Sequence, residues 1–193
     1  MVVDLYKKVQ ELKYTPSDIN EHFDAIINYG SECKHITEMG VRSIESTWGW
    51  LYTKPEHLIC YDIQHPDNLG GSLQDFAETA EAIGTNFSFI LANVLQVEIE
   101  PTELLFIDTW HAYKQLKAEL AMHSDKVSKY IVLHDTTSYE SHDEDSYLEW
   151  GDEWQPQGIG IWKAVEEFLQ DNPHWSIAYR YTHNNGLTIL KRG

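Results

Sequence analysis

Leu104-Leu105-Phe106-Ile107-Asp108-Thr109-Trp110-His111 and Tyr130-Ile131-Val132-Leu133-His134-Asp135-Thr136-Thr137 are built alike, each a short unbroken apolar run that stops at acid and histidine. A strand with water on one face alternates apolar and polar residues, whereas a strand covered on both faces is apolar throughout. Both runs therefore predict buried strands of a parallel sheet, with the polar residues at their carboxyl ends. Similar runs at 36–41, 58–63 and 87–95 extend the sheet. Residues 46–52, 73–83 and 113–122 predict the crossover helices that parallel neighbours require.

Before these strands, Ser17 is suited to cap a helix whose apolar positions Ile19, Phe23, Ile26 and Ile27 recur near the helical period and stop near Gly30. Residues 1–30 are thus expected to form a helical N-terminal segment. Beyond the strands, runs at 175–181 and 187–190 flank Asn185-Gly186, a strong turn pair, and predict a closing hairpin. The expected fold is α/β: a Rossmann-like, doubly wound, mostly parallel seven-stranded sheet with an antiparallel last strand and helices on both faces, in one domain over 1–193. Residues 138–158, dense in Glu, Asp, Ser and Trp, predict an acidic active-site loop in which Tyr147, Trp150 and Trp154 could cover a ligand. Gly158-Ile159-Gly160 leads from it into a helix over 161–169 that Asn172-Pro173 ends.

The charge narrows the partners. With 31 acidic and 14 basic residues the net charge is −17, and no Lys/Arg cluster interrupts the acid. Nucleic-acid affinity comes largely from basic side chains that displace counterions, so no nucleic-acid partner is expected, nor an anionic membrane surface. A small-molecule substrate is the expectation, and a homo-oligomer is left open. Cys33 and Cys60 have no paired spacing, which argues against a disulfide framework or a zinc cluster. No stretch approaches the ~20 apolar residues of a membrane span, the first residues lack a signal-peptide core, and a cytoplasmic location is expected.

Candidate site residues follow from the strand ends. The first strand runs into Thr37-Glu38-Met39-Gly40-Val41-Arg42-Ser43-Ile44-Glu45-Ser46-Thr47, an acid, a glycine and a small polar pair opening a helix. Gly40 would let the backbone approach a ligand, and the helix opening at Ser46 would turn free N–H groups toward it. Asp62, about 20 residues beyond the glycine turn, stands where such sheets bind a ribose. Without the further glycines of a pyrophosphate cradle, a cofactor with a ribose and no phosphate fits best. Asp108 and Asp135 on neighbouring strands should face one crevice, where paired carboxylates suit Mg²⁺, Mn²⁺ or Ca²⁺ rather than zinc. His111 is close enough to be a general base, or else a helix cap or rim residue. His134 should point to the opposite face from Asp135, as a buried structural residue, or join the metal ligands if the strand has ended there.

On these residues the sequence resembles the class I S-adenosylmethionine-dependent methyltransferases, in particular the branch of macrocin-type sugar O-methyltransferases and cephalosporin-hydroxylase-like proteins. The similarity runs over 36–190 and is carried by Ile36-Thr37-Glu38-Met39-Gly40-Val41-Arg42, Phe106-Ile107-Asp108-Thr109-Trp110-His111, Leu133-His134-Asp135-Thr136-Thr137 and Asn185-Gly186-Leu187. The resemblance implies that Glu38 and Gly40 hold the methionine part of S-adenosylmethionine, that Asp62 takes the ribose hydroxyls, and that Asn93 lies by the adenine. It also implies a divalent metal at Asp108 and Asp135, with His111 as the base for O-methylation of a small polar acceptor such as a sugar or glycoside. Relatives often carry an acid where this chain has His134, and a second glycine where it has Ile44. Two other readings use the same residues: a metal-dependent hydrolase or oxygenase, and a non-catalytic binding module whose cofactor pocket Ile44 blocks.

Overall fold

A computed structural model describes residues 1–145 and 157–193. Its centre is a seven-stranded sheet of β1 (His35–Met39), β2 (His57–Asp62), β3 (Asn86–Leu91), β4 (Thr102–Ile107), β5 (Val127–His134), β6 (Trp175–Tyr181) and β7 (Leu187–Arg192), in the spatial order β3-β2-β1-β4-β5-β7-β6. Every pairing from β3 to β5 is parallel, and β7 runs antiparallel to both β5 and β6. The expected doubly wound sheet with its antiparallel last strand is therefore present.

The unbroken apolar runs are explained by two covered faces. Along β4, Leu104 and Phe106 enter one hydrophobic cluster and Leu105 and Ile107 the other. The first cluster takes in side chains of α1 (Leu5–Tyr14), α2 (Phe23–Gly30), α3 (Glu45–Tyr52) and α4 (Leu73–Ile83), among them Phe23, Trp50 and Phe76. The second receives Leu116 and Leu120 of α5 (Tyr113–His123) and Val165 and Phe168 of α6 (Ile161–Asp171). Each fully buried large apolar side chain contributes about 1.5–3 kcal/mol, so the sheet is held from both sides.

Some boundaries differ from the sequence reading. The third strand ends at Leu91 rather than at residue 95, because Asn93 turns the chain by accepting the Leu95 N–H at 2.9 Å. At the N-terminus there are two helices, and Ser17 caps neither. Asp4 caps α1, while α2 begins at Phe23 after a single tight turn over Asn20–His22. The hairpin turn is as expected: Asn184, Asn185 and Gly186 all have positive φ, the conformation these residue types tolerate. A Cβ at Gly186 would overlap Thr137, and the Asn185 carbonyl accepts the N–H groups of Thr137 and Ser138 at 2.8 and 3.0 Å. The turn is thereby docked against the end of β5.

Candidate active site

The strand ends open into a cleft of about 970 Å³ that spans the carboxyl ends of β1, β2, β4 and β5. Gly40, Asp62, Asn93, Asp108, His111 and Asp135 all line it. Ligands of open α/β sheets bind in this crevice, and the sequence reading of these positions meets there.

The turn after β1 is tightly specified. Gly40 has φ +83°, and a Cβ there would overlap the backbone carbonyl of Asp108, so only glycine lets β1 end alongside β4. Asp62 orders the same turn: its Oδ2 accepts the N–H groups of Val41 and Arg42 at 2.7 and 2.9 Å, and its Oδ1 accepts that of Gln64 at 2.8 Å. Ile44 also sits in the left-handed region, at φ 63°, and is 2% exposed. Its side chain packs in the core cluster with Trp48 and Phe76 and does not line the cleft.

Glu38 and Ser46 belong beneath this turn. Glu38 is fully buried and accepts hydrogen bonds from the Ser46 hydroxyl at 2.6 Å and the Cys60 thiol at 3.4 Å. Burial pushes its carboxyl up to about 7 against those donors. It lies outside the cleft lining, and Ser46 borders a smaller neighbouring cavity of about 320 Å³.

At the ends of β4 and β5 four side chains interlock. Nε2 of His111 lies 3.2 Å from Oδ1 of Asp108 and 2.9 Å from Oδ2 of Asp135. Nδ1 of His134 lies 3.1 Å from Oδ1 of Asp108 and 3.4 Å from Oδ2 of Asp135, while its Nε2 donates to the Asp18 carbonyl at 3.0 Å. Strict alternation would send His134 and Asp135 to opposite sides. Asp135 instead adopts φ 58°, which ends the strand and brings its carboxylate back beside the histidine.

The electrostatics follow from these contacts. Burial alone would raise both carboxyls and lower both imidazoles, but pairing outweighs it. Burial opposes the shift at Asp108, yet His134 and His111 hold its carboxyl well below the usual range. His134 is raised to about 10 by Asp108 and Asp135 despite burial, and His111 is held well above its ordinary value by Asp108, Asp135 and Glu144. Both nitrogens of His134 face acceptors, so it is a buried cation with no lone pair to offer a metal.

The sequence reading missed the residues that brace this cluster. Oε2 of Glu144 accepts from Nδ1 of His111 at 2.9 Å, the Glu144 N–H donates to the His111 carbonyl at 2.9 Å, and Nε1 of Trp110 donates to the Glu144 carbonyl at 3.2 Å. Asp143 accepts four backbone N–H groups, from Tyr113 at the start of α5 and from Gln157, Gly158 and Gly160. It thus caps α5 from another segment, where Ala112 has no capping side chain. Tyr139 stacks on His111, with ring centroids 4.8 Å apart and planes 2° from parallel. The acidic tract was the only sequence signal for Asp143 and Glu144. Tyr147, Trp150 and Trp154, expected to cover a ligand, lie outside the described residues.

No family model and no curated protein matches the chain. Among solved structures it is similar to the SAH-bound methyltransferase PaMTH1 of Podospora anserina, at 17% identity over 100% of this chain and 89% of that one, with a TM-score of 0.62. It is also similar to an O-methyltransferase of Bacillus cereus in complex with SAH, at 11% identity over 100% and 92% of the two chains, TM-score 0.64. The magnesium protoporphyrin IX methyltransferase of Synechocystis PCC 6803 with bound SAH gives 11% identity over 97% and 94%, TM-score 0.63. Over its whole length, then, this chain has the fold of class I S-adenosylmethionine-dependent methyltransferases.

Proposed function

We propose that this chain, as one domain, transfers a methyl group from S-adenosylmethionine to a hydroxyl of a small polar acceptor, a sugar or glycoside. The observation that carries the reading is the meeting of Asp108, His111 and Asp135 on the same cleft as the Gly40 turn and Asp62. One half of such a cleft suits a ribose-bearing cofactor, and the other half suits a hydroxyl that must lose a proton.

S-adenosylmethionine, when bound, supplies a methyl group already activated on sulfur. The chain has to align acceptor oxygen and methyl carbon and receive the hydroxyl proton as the C–O bond forms. Gly40 removes side-chain bulk from the cofactor side, Asp62 keeps lone pairs for ribose hydroxyls, and Asn93 borders the space for the adenine. Ile44, turned into the core, leaves that space open. Glu38 and Ser46 act from beneath, by supporting the turn.

His111 is the group that receives the hydroxyl proton; Asp108, Asp135 and Glu144 favour its charged form, so its Nε2 must give up its own proton first, while Asp108 orients the ring. A divalent ion at Asp108 and Asp135 would acidify and orient the hydroxyl. The donor set fits one: Asp108, His111 and Asp135 each bring an atom within 4.8 Å of the others. The cleft is also rich in carboxylates, with Asp18, Asp62, Asp108, Asp135 and Glu144 against Arg42 and His111, which favours a neutral or cationic acceptor over a phosphorylated one.

The test is calorimetry with S-adenosylhomocysteine followed by transfer of labelled methyl to a panel of neutral sugars, amino sugars and sugar phosphates. Binding with methylation of an unphosphorylated sugar is expected. No binding at millimolar ligand would sink the reading.

A further inference from the structure

The hairpin between β6 and β7 borders the cleft at Asn185, and the turn is fixed there from two sides. Asn184, Asn185 and Gly186 are all left-handed, at φ 44°, 68° and 93°. On the β5 side, the Asn185 carbonyl accepts the Thr137 and Ser138 N–H groups, and the Gly186 carbonyl accepts that of Thr136 at 3.4 Å. On the N-terminal side, Nε2 of His22 donates to the Asn184 carbonyl at 2.9 Å, and Nδ2 of Asn184 donates to Oδ1 of Asn20 at 3.3 Å. A backbone held this way needs no further ordering when a ligand arrives.

Within this rigid turn the Asn185 carboxamide has no hydrogen-bond partner among the described residues. Turn asparagines ordinarily bond a neighbouring group. Asn93 accepts the Leu95 N–H and Asn184 bonds Asn20, but Asn185 does neither. The Ser138 hydroxyl, also on the cleft, is unpartnered in the same way. Other polar groups near His111 are committed: Thr109 and Gln115 bond Glu119, and the Trp110 indole donates to the Glu144 carbonyl. The acids are engaged too, Asp108, Asp135 and Glu144 with His111, and Asp18 with Arg42.

A carboxamide and a hydroxyl each donate and accept without charge, which is also the character of an alcohol. The strand order β1-β4-β5-β7 sets the Gly40 turn, Asp108, Asp135 and Asn185 in that sequence along the crevice. Neighbouring strands lie ~4.8 Å apart, so Asn185 stands about one strand beyond Asp135, on the side away from the glycine turn. A single sugar ring whose reacting hydroxyl is at His111 can reach it with a second hydroxyl.

We propose that Asn185 is a specificity-determining residue for the acceptor: its carboxamide, together with the Ser138 hydroxyl, binds a second, non-reacting hydroxyl and selects a polyhydroxylated ring over a simple alcohol. The assignment rests on the methyl-transfer reading above, since it takes the acceptor hydroxyl to lie at His111. Removing that second hydroxyl from the acceptor, or the carboxamide from the chain, leaves a neutral hydrogen bond unmade, an effect of about tenfold.

The experiment follows labelled-methyl transfer from S-adenosylmethionine by the full chain to the methyl glycosides of glucose, galactose, mannose and rhamnose, to their monodeoxy analogues, and to cyclohexanol. On the unaltered chain, the best glycoside should lose about tenfold in kcat/KM when one particular non-reacting hydroxyl is removed. Asn185→Gly suits the left-handed backbone. It should raise KM for that glycoside about tenfold with kcat nearly kept, and should no longer distinguish it from its deoxy analogue. Ser138→Ala, outside the hairpin, should raise KM in the same direction. Transfer to cyclohexanol as readily as to the glycosides, or no discriminated hydroxyl on the unaltered chain, overturns the assignment whether or not a variant folds. Unchanged KM in a folded Asn185→Gly chain does the same. Calorimetry with S-adenosylhomocysteine on each chain separates the two readings. Glycoside methylation that is indifferent to Asn185 overturns this assignment alone, whereas failure to bind S-adenosylhomocysteine, or binding it without methylating any of these glycosides, overturns the acceptor reading together with it.

Discussion

Gly40 at the end of β1 lies so close to Asp108 at the end of β4 that a Cβ on the glycine would overlap the aspartate's carbonyl oxygen. The bond from the Asp108 N–H to the Met39 carbonyl, at 2.8 Å, holds the two strand ends in this contact. The Gly40 turn and the Asp108 end of the cleft are therefore joined at one point, and a change in the glycine turn is felt at the carboxylate that faces His111.

Gly40→Ala combines a forbidden backbone conformation with that overlap. It is expected to cost roughly 2–4 kcal/mol of stability and to weaken S-adenosylhomocysteine binding in whatever fraction remains folded. Urea denaturation with parallel calorimetry measures both, and a stable variant with unaltered binding would remove the turn from the site.

Ile44→Gly tests whether the branched side chain obstructs the cofactor. Losing a buried isoleucine costs more than relief of its left-handed strain returns, so a net destabilisation of about 2 kcal/mol is expected. Cofactor affinity should stay as it was, because Ile44 does not border the cleft. A large gain in affinity on this substitution would support the blocked-pocket reading instead.

His111→Ala should lower methyl transfer by about 10²–10⁴-fold, with S-adenosylhomocysteine affinity retained. The side chain touches Asp108, Asp135 and Glu144 rather than the Gly40 turn. Loss of cofactor binding with normal turnover per bound cofactor would reassign it.

Asp143→Ala removes an acceptor shared by four backbone N–H groups. Faster hydrogen exchange at Tyr113, Gly158 and Gly160 is expected, with a loss of about 1–3 kcal/mol. Unchanged exchange at those amides would show that the segment is held by something else.

Glu119, buried behind Thr109 and Gln115, supplies a pH test. Its Oε1 accepts from Thr109 at 2.6 Å and Gln115 at 2.7 Å, and burial, outweighing these donors, pushes the carboxyl up from 4.5 to about 7. Between those values Glu119 in the folded chain keeps a proton that the unfolded chain has released, so its own contribution to stability falls as pH rises through this window. Glu38 acts with the same sign, so the comparison is between variant and parent: Glu119→Gln should flatten the fall by on the order of 2 kcal/mol. Parallel slopes in denaturation from pH 4.5 to 7.5 would contradict it.

What the sequence by itself determined here is local. Unbroken apolar runs marked strands covered on both faces, Asn185-Gly186 marked the hairpin, and the polar residues after 107 and 133 marked the crevice, because periodicity and turn chemistry act over a few residues. The limits of the local rules were also local: Asn93 ended β3 early, and Asp135, by going left-handed, undid the alternation that separates it from His134. Only the tertiary structure decided how the strand ends are used. Glu144 reaches His111 across 33 residues and Asp143 reaches Tyr113 across 30, and Glu38, expected to hold the methionine part of a cofactor, is sealed beneath the turn and outside the cleft lining. The Gly40 contact belongs to both levels. Sequence identified the glycine, but its necessity comes from Asp108, a residue of a strand that is adjacent in the sheet and distant in the chain.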